Sequence, residues 1–372
     1  MSFSAFDHAC MARALQLAER GLYTTRPNPR VGCVVARDQT IVGEGFHREA
    51  GGPHAEIFAL RAAGENARGA TAYVTLEPCS HHGRTPPCAD ALIQAGVKRV
   101  VAATRDPNPR VAGAGLARLA TAGIEVETGL LETEARRLNP GFIKRMETGR
   151  PWVRVKLAMS LDGRTAMASG ESQWITGAAA RHDVQRWRAR SCAILTGSGT
   201  VRTDDPSLNL RVDREALECE VEPRQPLRVL LDTNDSINSS SKLFNIDGKI
   251  LIINSKTIRK VNSQVGFSQV ERITVGTGPH GLALGEVLAE LGRREINEVH
   301  VEAGATLSGA LLGEGLLDEL LLYVAPHLMG DGARGLFHLP QLQQMDQRIS
   351  LQIVDIRSVG ADWRIIAYPV QN

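Results

Sequence analysis

Pro53-His54-Ala55-Glu56, then Leu76-Glu77-Pro78-Cys79 and, beyond eight intervening residues, Cys88 form the stretch from which the rest of the chain is read. One histidine and two cysteines fill three positions of a tetrahedral zinc site and leave the fourth open, which is how catalytic rather than structural zinc is held. Water in the open position has its pKa lowered to roughly 7, and a nearby carboxylate that is not a ligand can then move its protons. Glu56 is placed to be that carboxylate. Residues two apart on a regular helix face away from each other, so His54 and Glu56 are expected at the very start of a helix, where both side chains fold over its open end. Cys79 and Cys88 are expected near helix beginnings too, where the macrodipole favours thiolate. Alone, a buried cysteine is a small hydrophobe and a single histidine is usually no ligand. It is the set, with glutamate two after histidine and proline before cysteine, that reads as catalytic zinc. His81 and His82 leave three readings open: rival ligands, substrate contacts or a solvated loop.

Outward from this stretch, apolar residues recur at helical spacing from Asp7 to Arg20, with Gly21 as the expected C-cap. A polar loop follows from Thr24 to Arg30. Strands are predicted over 31–36, 41–45, 71–76 and 97–103, and helices over 55–63 and 88–95, the helices stopped by Gly64 and Gly96. A helix over about 116–122, a strand over 124–127 and one helix from Glu132 to Met146 complete a three-layer α/β domain spanning 1–146. The breaker run Glu147-Thr148-Gly149-Arg150-Pro151 marks the boundary, and a second α/β core is expected over 150–372. Its strands are predicted at 152–158, 192–196, 227–231, 249–254, 298–302 and 319–325, and its helices at about 178–189, 282–291 and 307–312. Residues 211–226 and 233–245 read as surface loops.

The chain has 372 residues, which suits two cores. A hydrophobic fraction of 43% and a charged fraction of 23% belong to an ordinary soluble globular protein. A formal net charge of +2 gives little reason to expect nucleic acid or an anionic membrane as partner. With neither an apolar run of membrane-spanning length nor a secretory leader, the expected location is cytoplasmic. Six cysteines are too sparse for a disulfide framework in a chain this long. A homo-oligomer is the expected assembly.

The second half offers two places for a dinucleotide. Gly197-Ser198-Gly199-Thr200 follows a strand but runs on to Val201-Arg202, a weak Rossmann fingerprint and a reasonable backbone nest for phosphate. The better one is the strand Glu298–Glu302 followed by Gly304-Ala305-Thr306-Leu307-Ser308-Gly309-Ala310, where small residues let a helix N-terminus approach an anion. A glycine-rich turn that merely packs closely is the competing reading.

Six segments together resemble the bifunctional riboflavin-biosynthesis deaminase/reductase family of bacteria, over nearly the whole chain. They are Thr25-Arg26-Pro27-Asn28-Pro29-Arg30-Val31-Gly32-Cys33-Val34, the run from Leu76 to Cys88, Lys156-Leu157-Ala158-Met159-Ser160-Leu161-Asp162-Gly163-Arg164, Ser169-Gly170-Glu171-Ser172-Gln173-Trp174-Ile175-Thr176, Thr203-Asp204-Asp205-Pro206 and Val301-Glu302-Ala303-Gly304. His-x-Glu with Pro-Cys and a further Cys is the zinc-deaminase arrangement, although common nucleoside and base-editing deaminases use Pro-Cys-x-x-Cys, with only two residues between their cysteines where this chain has eight. The resemblance implies an N-terminal cytidine-deaminase-like three-layer α/β/α domain followed by a dihydrofolate-reductase-like α/β domain. The first would remove the 2-amino group of a diaminopyrimidinone ribosylamine 5′-phosphate, and the second would use NADPH to reduce the ribose to a ribityl chain.

It further implies His54, Cys79 and Cys88 as zinc ligands, Glu56 as proton donor and Asn28 as a pyrimidine contact. Ala158, Trp174, Thr200, Asp204 and Thr233 fall on cofactor positions, and Gly304 to Ala310 on the pyrophosphate loop. Ser172, Arg188, Leu208, Arg211 and Glu302 fall on substrate positions. Arg188 and Arg211 make sense as phosphate forks, though either alone is more often a solvated charge, and Trp174 could belong to the core or stack on a ligand. Hydride transfer needs mainly orientation; Lys156 and Glu302 are the candidates to assist opening of the sugar, with Lys156 alternatively anchoring a strand end or binding phosphate. Nothing functional is carried onto 233–270 beyond Thr233, or onto the tail after about 340. Two other functions remain as contrasts: a tRNA deaminase with a C-terminal binding module, disfavoured by the near-neutral charge, and a non-catalytic zinc-stabilised scaffold.

Overall fold

Ser4 starts the first helix by a reciprocal cap: its hydroxyl accepts the Asp7 N–H at 3.1 Å while the Asp7 carboxylate accepts the Ser4 N–H at 2.8 Å. The computed structural model describes residues 3–80, 87–109, 111–255, 263–265 and 268–370, with the backbone alone at 263–265 and 268. His81 and His82 therefore lie outside the described residues. The chain folds into two compact units, one of 1–149 with 213–224 and one of 150–212 with 225–372. The charged segment 213–224, expected to be a surface loop of the second half, thus groups with the first unit.

The first unit runs α1 (Ala5–Glu19), β1 (Gly32–Arg37), β2 (Thr40–Phe46), α2 (Ala55–Ala63), β3 (Thr71–Val74), α3 (Cys88–Ala95), β4 (Arg99–Ala102), α4 (Ala114–Thr121), β5 (Glu125–Thr128), α5 (Glu132–Leu138) and α6 (Pro140–Thr148). The sheet order is β2-β1-β3-β4-β5, antiparallel at β1–β2 and β1–β3 and parallel from β3 to β5. One face packs on α2, α3 and α4 through Val35, Ala59, Val74, Leu92 and Leu119, and the other on α1 and α5 through Met11, Leu17, Val34 and Tyr73. This is the expected α/β/α sandwich. The single helix expected over 132–146 is instead two, because Asn139 leaves helical geometry ahead of Pro140, which opens α6. Gly45 lets α2 lie directly on β2: a Cβ there would fall 2.4 Å from the Ala55 carbonyl.

The second unit runs β6 (Trp152–Ser160), β7 (Arg164–Ala166), α7 (Ala178–Arg190), β8 (Ala193–Gly197), α8 (Ser198–Asp204), β9 (Leu227–Leu231), β10 (Gly248–Asn254), β11 (Ser263–Val265), β12 (Ser268–Thr274), β13 (Thr277–Gly278), β14 (Gly281–Leu282), α9 (Leu284–Arg293), β15 (Glu298–Glu302), α10 (Ala305–Gly313), β16 (Glu319–Ala325), β17 (Arg334–Gly335), β18 (Leu351–Val359) and β19 (Asp362–Pro369). Ten strands form one sheet in the order β11-β12-β10-β9-β8-β15-β6-β16-β19-β18, parallel from β12 to β16. The tail after 340, unassigned from sequence, supplies the antiparallel hairpin β18–β19 that ends the sheet. The described helices contain none long and apolar enough to cross a membrane.

Candidate active sites

His54 is the N-cap of α2 and keeps extended backbone geometry, so it stands outside the helix whose first turn carries Glu56. That is why a spacing of two brings both side chains to one place. Cys88 opens α3 directly after Pro87. Cys79 is not at a helix start, contrary to expectation, but its sulfur accepts the Cys88 N–H at 3.3 Å and so still meets the positive end of α3. His54 Nδ1 lies 3.6 Å from Cys79 Sγ and 3.3 Å from Cys88 Sγ. The three donor atoms fall within 4.8 Å of one another, the only such histidine, cysteine and acid cluster among the described residues.

The electrostatics suit a cation. Within the cysteine pair, the hydrogen bond from Cys88 holds the Cys79 thiol well below its ordinary value against its burial, while Cys88, which shares that bond and is buried, is held above it; the hydrogen bond to Cys79 raises His54 despite its own burial. Glu56 is buried and pushed upward by that burial, and its Oε2 has no hydrogen-bond partner among the described residues. An orphaned carboxylate oxygen beside a nitrogen and two sulfurs fits zinc, whose catalytic sites use this donor set and a carboxylate outside it.

Asn28 belongs to the same site through a residue not singled out from sequence. Its Nδ2 lies 3.1 Å from His47 Nε2, and His47 Nδ1 lies 3.0 Å from the Pro53 carbonyl. Nδ1 must donate to that carbonyl, so Nε2 accepts from Asn28 and the amide orientation is set. Burial lowers His47 to about 4, which keeps it neutral. Glu77 was also missed: its carboxylate accepts backbone N–H groups of Asp106, Gly113 and Gly115 and braces the loop that leads to Cys79. Nothing in local sequence spacing marks either residue.

In the second unit, Lys156 and Glu302 occupy paired positions on the adjacent parallel strands β6 and β15. Arg188, from α7, grips Glu302 with both ends of its fork, Nε to Oε1 at 2.6 Å and Nη2 to Oε2 at 2.8 Å, while Nη1 donates to the Asn209 carbonyl. Arg188 is therefore already engaged and is no free phosphate fork. Burial alone would raise Glu302, but Arg188, His300 and Lys156 outweigh it and hold the carboxyl well below the usual range. Burial lowers the Lys156 ammonium. Arg211 is exposed, and its backbone N–H is held by Gln185 at 2.9 Å.

β8 and β15 are neighbours, and each ends at a helix, α8 and α10. Gly304 is the N-cap of α10, and the space a Cβ would take at Gly304 and at Gly199 is open. The open end is narrower than the sequence suggested. Ser308, Gly309 and Ala310 are buried inside α10, with the Ser308 N–H bonded to the Gly304 carbonyl, so Ala305, Thr306 and Leu307 carry the outward N–H groups. Asp204 ends α8, where burial raises its carboxyl and Ser172 works against that rise, and Thr200 is on the same helix. Thr233 lies against Gly281, and Leu208 is buried with φ of 50°. Ala158 is on β6, two residues beyond Lys156. Trp174 is 70% exposed under the Arg181 guanidinium, which rules out a core role. The cradle at the strand ends and the adjacent helix N-terminus fit a dinucleotide phosphate.

A family model for the cytidine and deoxycytidylate deaminase zinc-binding region matches residues 4–104, and one for the RibD C-terminal domain matches 151–365. The riboflavin biosynthesis protein RibD of Escherichia coli (strain K12) is 52% identical over 361 residues, 96% of this chain and 97% of that protein. Its namesake from Haemophilus influenzae is 52% identical over 375 residues, 99% of each. Among solved structures, Acinetobacter baumannii RibD, form 1, superposes with a TM-score of 0.88 at 48% identity, covering 98% of this chain and 99% of that one. A deaminase/reductase from Thermotoga maritima gives 0.84 at 33% identity with the same coverage. The chain belongs to the RibD family, the bifunctional deaminase/reductases of riboflavin biosynthesis.

Proposed function

We propose that the two reactions run at the two sites above, on a small phosphorylated pyrimidine. The observation that carries the first is the convergence of His54, Cys79 and Cys88, with the buried Glu56, whose Oε2 has no hydrogen-bond partner among the described residues, two positions after His54. His54 Nδ1 and the two thiolates would hold zinc, which when bound supplies the Lewis acidity that makes water a nucleophile at neutral pH. Asn28, its amide set by His47, orients the pyrimidine ring. Glu56 takes the proton of the attacking water, passes it to the ring nitrogen, and protonates the departing amine. A C–O bond forms, the C–N bond to the 2-amino group breaks, and ammonia leaves.

For the reduction, Gly304 and the N–H groups of Ala305, Thr306 and Leu307 bind the cofactor phosphates, with Ala158, Trp174, Thr200, Asp204 and Thr233 along the cofactor. NADPH, when bound, supplies the hydride. Ser172, Leu208 and Arg211 hold the substrate, Arg211 by its phosphate. Glu302 stays ionised and grips Arg188, so Lys156 is the group that protonates the ring oxygen as the nitrogen lone pair expels it and the C1′–O4′ bond opens to an iminium, the nitrogen keeping its proton; hydride uptake at C1′ then gives the neutral amine.

The assembly we propose is a cytoplasmic homo-oligomer. Among the described strands, β18 is an edge of the large sheet and exposes Leu351, Ile353, Val354 and Ile356, with Trp363 beside them on β19, an apolar edge of the kind proteins otherwise cover. Supplied with the diaminopyrimidinone ribosylamine phosphate and NADPH, the zinc-loaded protein should release one ammonia and oxidise one NADPH per substrate. Turnover of either alone would contradict the reading.

A further inference from the structure

Asp213–Arg224 leaves the second unit after Val212, packs with residues 1–149 and returns at Gln225. Its contacts fall on two loops. Glu220 pairs with Arg20, the C-cap of α1, through one carboxylate oxygen and with Arg48 through the other at 3.1 Å. Arg48 directly follows His47, and its guanidinium lies over the rings of Phe46 and Phe58, 5.6 and 4.6 Å from their centres. The Arg224 guanidinium donates to the Ala50 carbonyl at 3.3 Å, and the Arg224 carbonyl accepts from Arg26. Leu217 anchors the segment by burying its side chain. The loop that carries Asn28 is thus held at Arg20 and Arg26, and the loop that leads to His54 is held at Arg48 and Ala50.

We propose that Glu220 and Arg224 are positioning residues for deamination, contributed by the reductase half of the chain: they fix the two loops that set Asn28 and His54. The inference rests on reading the His54 centre as the deaminase site. Each pair is partly exposed and weak by itself, but together they close both loops from one segment. A loop that is not held must be ordered when substrate arrives, which weakens binding without touching the reacting atoms. The signature is therefore a change in KM and not in kcat.

The test uses the full-length enzyme in three forms: wild type, Glu220→Gln, and a chain with 213–224 replaced by a Gly/Ser linker of equal length. Ammonia release, NADPH oxidation of the deaminated intermediate and zinc content are measured for each. Glu220→Gln should raise the deamination KM about threefold to tenfold with kcat within about twofold, leaving zinc content and NADPH oxidation unchanged. The linker chain should exceed that rise, and Glu220→Asp should recover part of it. Higher ionic strength should narrow the gap between wild type and Glu220→Gln, because screening erodes exposed pairs. Unchanged KM in both variants overturns the proposal, as does a fall in kcat, zinc content or NADPH oxidation that tracks the rise in KM. No ammonia from the wild type would instead remove the deaminase reading, and this inference with it.

Discussion

The fork between Arg188 and Glu302 sets what each neighbouring group can do. With the Nε–Nη2 edge of the Arg188 guanidinium on its partly buried carboxylate, Glu302 remains an anion, and removing it leaves Arg188 buried without its counter-ion. Glu302→Ala should cost about 3 kcal/mol of stability, read by denaturant unfolding, and should stop NADPH oxidation. Its folded pKa is depressed, so its contribution is complete above the ordinary glutamate value of about 4.3 and is lost as pH falls toward the folded value. The stability gap between wild type and Glu302→Ala should accordingly close on acidification below about pH 4; a gap that widens there would contradict the pairing. Lys156→Met should abolish NADPH oxidation, a fall of about a hundredfold or more, while ammonia release is unchanged. The cluster of His54, Cys79 and Cys88, a set that could hold a metal ion, was legible in sequence because the chemistry restricts the residue types and their order. The partner of Arg188 was not: a fork looks the same whether it meets a phosphate or a glutamate 114 positions away.

At the scale of elements, the position of α2 on β2 decides where His54 stands. Gly45→Ala would drive a methyl group into the Ala55 carbonyl and the Ala59 amide, at 2.4 and 2.5 Å, in the first turns of that helix. A loss of about 1–3 kcal/mol together with reduced zinc content is the expected outcome; full zinc occupancy at wild-type stability would show that α2 is placed otherwise. Helices and parallel strands were largely legible, since hydrophobic period and glycine stops mark them locally. The break at Asn139-Pro140 was missed because helical periodicity continues across it, although Pro140 itself was the available signal. The hairpin β18–β19 was missed for a different reason. Its strand β18 is exposed along most of its length, so apolar and polar residues do not alternate as they do on a half-buried strand.

For the whole molecule, exposed apolar residues along β18 and the two-unit division make separate demands. Ile353→Lys with Ile356→Lys should shift sedimentation toward the single chain and leave both activities measurable; an unaltered sedimentation coefficient would place any interface elsewhere. The division at 149/150 matches the glycine and proline punctuation of 147–151, whereas the membership of 213–224 depends on ion pairs with Arg20 and Arg48 that no local pattern announces. Two catalytic centres built from separate sets of residues should fail separately. The most direct measurement is Glu56→Ala in the full-length enzyme, with ammonia release assayed on the diaminopyrimidinone substrate and NADPH oxidation assayed on the already deaminated compound. Ammonia release should fall by at least about a hundredfold while NADPH oxidation stays at the wild-type rate. Loss of both together, or ammonia release that survives, would contradict the account.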